Sequence, residues 1–319
     1  MPQNDQSFDL SAARVCAVLN KGSGRKNGDQ NERMLRERLE GRSAAFEIRK
    51  PAHGSQIGKV AKQAIADGFD VILAVGGDGT QAAVAQALAR TDAVMGVIPT
   101  GTFNYFAREL RCGEDVEGGI DTILDARLST ISVGEVNGRI FLNNVSFGAY
   151  PEILQRREAI YRRWGRSRVA AYWSVLAALK DMRHPMSLTA SVDGVERHYE
   201  TALAFIGKSA FQLETFGLDE GAQAVRDGHL ALFVAKANGP MALIRAALRL
   251  AFGKTARDDD FDLITSDEIE IDTGRGKRLI AHDGEKSRVR GPFKLRALPE
   301  ALNVLVPAQI RDTGRAAPS

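Results

Sequence analysis

Two strand, turn and helix patterns follow one another in this chain, and each turn is rich in glycine. The apolar run Val71-Ile72-Leu73-Ala74-Val75 leads into Gly76-Gly77-Asp78-Gly79-Thr80, and Gln81 to Ala89 then carry strong helix formers and no breaker. Val94-Met95-Gly96-Val97-Ile98 leads in the same way into Pro99-Thr100-Gly101-Thr102-Phe103-Asn104, followed by a helical run from Tyr105 to Leu110. Uninterrupted apolar runs of this length, biased to β-branched residues, are the mark of strands buried on both faces, which occur in parallel sheets. Glycine lets the backbone approach a ligand closely, and a helix N-terminus presents unpaired N–H groups with partial positive charge. Two such turns at the carboxyl ends of neighbouring strands make a crevice suited to phosphate. Either turn taken alone reads equally well as an ordinary connection. Together they bring an acid, Asp78, and hydroxyl or amide groups at Thr80, Thr100, Thr102 and Asn104 to the same place.

The N-terminal stretch continues this alternation. Arg14 to Leu19 is strand-like, Asn31 to Leu39 helical, Ala45 to Ile48 strand-like and Ile57 to Ala66 helical. The pattern predicts an α/β domain with a doubly wound parallel sheet over residues 13–131. From Ser132 the pattern changes. Val136-Asn137-Gly138-Arg139 and Val192-Asp193-Gly194-Val195 read as hairpin turns, and Thr201 to Ile206, Leu230 to Ala235 and Glu268 to Ile271 as strands. A C-terminal antiparallel β-sandwich is expected over residues 132–308, interrupted by helical insertions at Pro151 to Met182 and Pro240 to Phe252. Residues 1–12 and 309–319 read as loose tails.

Composition narrows the class. With 319 residues, 44% hydrophobic and 26% charged, the chain has the profile of an ordinary globular protein. Its start is polar, without the basic and apolar regions of a signal peptide. Val169 to Leu179 is too short to cross a bilayer. Cys16 and Cys112 lack metal or redox spacing, so a reducing cytoplasm is the expected location. The net charge of +3 is unevenly spread: Arg156, Arg157, Arg162, Arg163, Arg166 and Arg168 are opposed there only by Glu158. Ile153, Ile160 and Trp164 recur at helical spacing in that stretch, with Tyr161 beside them. Such a helix either lies on an anionic membrane surface or docks on the protein through its apolar stripe. No nucleic-acid recognition motif accompanies the charge.

The chain has no G-x-x-x-x-G-K-[ST] loop, no G-x-G-x-x-G fingerprint and no H-R-D or D-F-G element. Gly76 to Thr80, followed by the P-x-G-T-x-N-x-F-A-R element from Pro99 to Arg108, resembles the diacylglycerol kinase catalytic-domain family. That family includes bacterial lipid kinases and the related sphingosine and ceramide kinases. A third matching element is Asp283-Gly284-Glu285, followed by Ala301 to Pro307, so the resemblance runs from about residue 14 to residue 307.

The resemblance implies transfer of the ATP γ-phosphate to the hydroxyl of a membrane lipid, with Mg2+. Asp78 and the amides of Gly77, Gly79 and Thr80 would hold the phosphates and metal, and Gly101, Thr102 and Asn104 would form the other wall. Asn20-Lys21-Gly22-Ser23-Gly24 resembles the family's N-P-x-[SA]-G turn bordering the nucleotide, with Lys21 in place of proline. Glu285 stands where the family has the base that takes the lipid proton. As a bare sequence feature, Asp283-Gly284-Glu285 is also a common turn. Some bacterial members bind a structural Mg2+ at a D-G turn in the second domain. Here Asp227 would give the carboxylate, with carbonyls from Ala224 and His229, although the same residues suit a metal-free hairpin. The family's acids at two other positions are replaced by Tyr105 and Ser132. The expected protein is peripheral on the inner membrane surface, with lipid substrate, anionic surface and a second copy as partners. Two alternatives remain open: a soluble-substrate kinase of the NAD kinase type, and a non-catalytic nucleotide-binding membrane protein.

Overall fold

The computed structural model describes residues 7–20, 28–148, 185–236 and 261–308. The chain divides into two compact units, with boundaries at Ile131/Ser132 and again at Pro299/Glu300. The Arg156 to Arg168 run, the Pro240 to Phe252 run and Lys21 to Gly24 lie outside the described residues.

The first unit is an α/β domain. Its strands β1 (Arg14–Leu19), β2 (Ala45–Arg49), β3 (Val71–Gly76) and β4 (Val94–Pro99) lie in the order β2-β1-β3-β4 and pair in parallel. The helices are α1 (Gly28–Leu39), α2 (Ile57–Ala66), α3 (Asp78–Leu88), α4 (Tyr105–Glu109) and α5 (Val116–Leu124). One face of the sheet, with Val15, Ala17, Leu73 and Val75, packs on Leu35 and Leu39 of α1 and Ile120 and Ile123 of α5. On the opposite face α2 and α3 pack on each other and on β1 and β3. With both faces covered, all six residues of β3 and all six of β4 are buried, which is why both runs lack polar alternation. A side chain at Gly96 would collide with Leu73 and Ile123, so glycine there lets α5 lie close to the sheet.

Two expectations need correction here. Residues 7–12 are not a loose tail: Phe8 N donates to Ala126 O at 2.8 Å and Leu10 is buried in the core of this unit. The end of the chain also returns. The last part of β16 (Phe293–Pro307) pairs in parallel with β4 through Asn303 and Val304, and Leu305 enters the same core. Glu300 onward therefore belongs to the first unit, not to the second domain drawn through residue 308.

The second unit is an antiparallel β-sandwich. One layer holds the first part of β16 beside β13 (Glu268–Asp272), β8 (Met186–Val192) and β9 (Val195–Thr201), with β5 (Ala126–Val136) on β16 and β6 (Arg139–Phe141) on β5. The other runs β12 (Phe261–Ser266), β11 (Leu230–Ala235), β10 (Leu203–Gly207), β7 (Asn144–Gly148), β14 (Lys277–His282), β15 (Glu285–Arg290). Between them lies an apolar core in which Phe147 and Phe293 meet edge to face, 5.0 Å between centroids, alongside Phe141, Leu188 and Ile271. Three hairpins turn on residue pairs with positive φ at both positions: Asn137-Gly138, Asp193-Gly194 and Asp283-Gly284. That geometry matches the twist of the flanking strands and suits Asn-Gly and Asp-Gly.

A helical pair not anticipated from the sequence, α6 (Ala210–Thr215) and α7 (Asp219–Arg226), covers the outer face of the second layer. Leu213, Ala222 and Val225 pack there against Phe233 and Phe261. As a result all six residues of β11 are buried, although the strand belongs to an antiparallel sheet.

Candidate functional site

In the first unit the two glycine turns converge. Gly76 pairs with Pro99, and Thr100 N donates to Gly76 O at 3.1 Å. A Cβ on Gly77 would lie 3.2 Å from Gly101 Cα, and one on Gly101 would lie 2.8 Å from Gly77 Cα. The backbones touch, and no residue larger than glycine fits at position 101. A side chain on Gly76 would collide with Thr80. The end of β1 joins them, because Asn20 Nδ2 donates to Thr80 Oγ1 at 2.9 Å. The carboxyl ends of β1, β3 and β4 thus meet at the N-terminus of α3, whose cap residue is Gly77.

Several side chains here also hold the turns together. Asp78 is not a bare carboxylate. Its Oδ2 accepts from Asn104 N at 3.0 Å and its Oδ1 accepts from Phe106 N at 3.4 Å, so it caps α4 and ties the first turn to the second. Burial pushes its carboxyl above the usual carboxylate value, while the amides of Phe106, Asn104 and Tyr105 pull it back. Asn104 is buried with φ 50, and its amide faces inward. Its Oδ1 accepts from Gly101 N at 3.0 Å and its Nδ2 donates to Gly101 O at 3.2 Å. It staples the second turn from inside. Thr80 is buried, and its amide returns to Gly77 O at 2.9 Å. Gly79 is part-buried at the helix start and Thr102 is exposed. Phe103 is exposed and stacks on Tyr105, with the rings 3° from parallel.

In the second unit Asp283 and Gly284 form the turn between β14 and β15, and Glu285 is the exposed first residue of β15, paired with His282. Asp283 is buried beneath it. The acceptors around this end of the sheet are organised by residues that no motif announced. Asn144 Nδ2 donates to Gln212 Oε1 at 2.8 Å, and Lys208 N donates to Asn143 O at 2.7 Å.

The candidate second-domain metal residues already have hydrogen-bond partners within the protein. Asp227 is exposed and its Oδ1 accepts from Gln223 Nε2 at 3.0 Å, while Ala224 O accepts from His229 N at 3.0 Å. The His229 carbonyl accepts from Lys208 Nζ at 3.4 Å, and Gly228 O accepts from the same nitrogen at 2.9 Å. Buried Lys208 thus already supplies a positive charge to two carbonyls of this turn. A chelator is therefore expected to leave the thermal midpoint of the protein unchanged. Lys208→Met should lower it, because part-buried carbonyls stripped of their donor cost on the order of 1 kcal/mol each. Calorimetry with and without chelator checks this, and a chelator-sensitive wild type would speak against it.

Among the described residues no group of three or more His, Cys, Asp or Glu side chains is placed to hold a metal. At the first site, Tyr105 stands where the family's element has an acid; Ser132 opens the second unit, its Oγ buried with no hydrogen-bond partner among the described residues. Among the described residues Asp78 is the one carboxylate within the joined turns. That donor set fits Mg2+ arriving on phosphate oxygens and water, and does not fit a protein-made cage.

A sequence profile described as the diacylglycerol kinase catalytic domain matches residues 14–136. A second, the YegS C-terminal NAD kinase beta sandwich-like domain, matches residues 143–306. A diacylglycerol kinase of Staphylococcus epidermidis is 35% identical over 95 residues, 29% of this chain and 30% of that protein. One from Staphylococcus aureus is 34% identical over 95 residues, again 29% of this chain and 30% of its own length. The chain thus spans less than a third of these relatives in the matched stretch. The crystal structure of a diacylglycerol kinase from Bacillus anthracis superposes with a TM-score of 0.67 at 18% identity, covering 92% of this chain and 97% of the other. A candidate diacylglycerol kinase from the same organism gives 0.72 at 19% identity with the same coverage. At that identity the likeness is one of fold: an N-terminal parallel-sheet domain and a C-terminal antiparallel sandwich.

Proposed function

Because this chain belongs to the diacylglycerol kinase catalytic-domain family, we propose that it moves the γ-phosphoryl group of ATP to the hydroxyl of a membrane lipid. The observation that carries this reading is the backbone contact of Gly77 with Gly101 at the N-terminus of α3. Phosphoryl transfer needs positioning and charge neutralisation more than covalent help. Joined glycine turns at a helix N-terminus supply both. In this reading Asp78 acts twice, as the brace between the turns and as the carboxylate facing a phosphate-borne Mg2+. The metal would neutralise charge on the phosphate oxygens. Asn104 keeps the second turn in shape from behind.

Glu285 takes the proton from the attacking lipid hydroxyl. It is exposed on a hairpin and its carboxylate is not spent inside the fold, which suits a group that must meet an incoming substrate. Diacylglycerol, ceramide and sphingoid bases share the required alcohol, and an apolar site separates methylene counts only weakly. Labelled ATP and a panel of lipid alcohols in anionic micelles test the proposal. Transfer to at least one lipid and not to soluble alcohols is the expected result.

The description of the second domain as NAD kinase beta sandwich-like favours one further reading, a soluble-substrate kinase. Labelling of a dinucleotide in preference to every lipid in the same panel would select it. Binding of ATP with no turnover on any acceptor would select the third reading, a nucleotide-binding protein without catalysis, for which Tyr105 and Ser132 are the warrant.

Among the described residues no helix is long and apolar enough to cross a membrane. We propose peripheral attachment at the cytoplasmic face through the arginine-rich segment. Each near-surface charge contributes about 1 kcal/mol to docking on an anionic leaflet. Replacing Arg156, Arg157, Arg162 and Arg163 with Gln should raise the apparent KM for lipid in anionic vesicles and leave that for ATP unchanged. Salt should reproduce the effect in the wild type. Equal vesicle binding by both proteins at low salt would show that these arginines only solvate the chain.

A further inference from the structure

We propose that Asp283 is the positioning residue for Glu285, holding the hairpin that carries it in one place; this rests on the reading of Glu285 as the base. Asp283 is 7% exposed and both its carboxylate oxygens are used. Oδ2 accepts from Leu142 N at 2.8 Å, and Oδ1 accepts from Asn143 N at 2.7 Å and Asn144 N at 3.2 Å. The Asp283 amide donates in return to Asn144 O at 3.0 Å. Four hydrogen bonds therefore bind the β14–β15 turn to the strap Leu142-Asn143 and the first residue of β7, Asn144.

The turn alone does not ask for this. With φ of 45 and 81 at its two central residues, Asn-Gly would serve the backbone equally well. An asparagine, however, has one acceptor oxygen and would set an NH2 against a backbone N–H. Only a carboxylate can receive three amides from one strap. The strap is itself braced, through Asn144 to Gln212 and through Asn143 O to Lys208 N. Glu285 leaves the turn two residues after Asp283. Its direction therefore follows the seat of that carboxylate.

The titratable neighbours are His282 on the same strand and Glu285 across the turn. Leu142, Asn143, Asn144 and Gln212 carry no charge, and Lys208 directs its Nζ to the Gly228 and His229 carbonyls. Burial pushes the Asp283 carboxyl up to about 6, against the three amides and His282. On protonation one oxygen becomes a hydroxyl and the clamp loses an acceptor. The sign matters: a folded-state value above the ordinary one means that acid does not unfold the chain through this group. The stability linked to it is fully present below its unfolded value near 3.8 and falls as pH rises through about 6. Loss of activity on acidification would therefore precede any loss of fold.

Three measurements decide the matter. Asp283→Asn is expected to lower kcat about 10–100-fold with the KM for ATP unchanged, as misplacement of a reacting group does. In the Glu285→Gln background the same substitution should have no further effect on kcat, since there is no base left to position. An additive loss in the double variant overturns the proposal. The wild type, which needs no variant to fold, should lose kcat with an apparent pKa near 6 while its thermal midpoint holds, and His282→Gln should retain that limb. A limb that vanishes with His282, or that lies at the ordinary glutamate value, also overturns it. If no alcohol is phosphorylated, the kinase reading fails on its own. Hydrogen exchange at the Leu142, Asn143 and Asn144 amides then tests the clamp separately: protection that falls in Asp283→Asn at a fixed pH is expected, and protection unchanged by the substitution refutes it.

Discussion

Glu285→Gln is expected to lower kcat on the proposed lipid acceptor about 10²–10⁴-fold, the usual worth of general-base assistance, and to leave ATP affinity as it was. The substitution keeps the shape of the side chain and removes only its ability to take a proton. Glu285 is exposed at the start of β15, so the change strands no buried charge and stays within about 0.5 kcal/mol of wild-type stability. A fall in kcat therefore cannot be attributed to unfolding. Single-turnover measurements with ATP held saturating separate the chemical step from lipid binding. Full kcat in the variant would reduce Glu285 to the closing residue of a hairpin.

Asp78→Asn has its effect one step earlier. The amide offers a single acceptor oxygen where Asn104 N and Phe106 N need two, and presents an NH2 to the amide that loses its partner. A part-buried N–H left without an acceptor costs about 1–3 kcal/mol. The second turn then shifts from the first, and the surface at which Gly77 and Gly101 touch is lost. ATP affinity is expected to fall about 10–100-fold, since 1.4 kcal/mol is a factor of ten. Titration calorimetry with ATP and with inorganic triphosphate reads this directly. Unchanged affinity for both would remove the joined turns from the phosphate site.

The two predictions differ in how much the residues announced. Asp78 and Glu285 both stand in short elements that can be recognised by eye, and their positions on a helix start and a hairpin follow from local rules. What each carboxylate touches does not follow. Asp78 was expected to meet phosphate and metal, and it also braces a turn 26 residues away in the chain. Asp283 looked like half of a common turn, yet its partners come from a strap about 140 residues earlier. Lys208 follows an apolar run as any surface lysine might, and its partners lie 20 and 21 residues onward. No local pattern encodes such pairings, because a hydrogen bond between distant segments is set by where the sheets bring them.

The same division holds for the fold. The residues of this chain were enough to place β1, α2 and β11 at their observed limits, and the two Asn-Gly and Asp-Gly hairpins at theirs. Propensity, periodicity and the need for positive φ act over a few residues, so they can be read along the chain. The packed start of the first unit, the return of β16 to the parallel sheet and the helical pair over β11 could not be read in that way. Each exists because an apolar face elsewhere required a cover: the core beneath Leu10, the open side of β4, the Phe233 and Phe261 face of the sandwich. Local chemistry settles which element a segment becomes. Which face it then covers, and so which buried carboxylate or lysine finds its partners, depends on burial of surface between segments far apart in the chain.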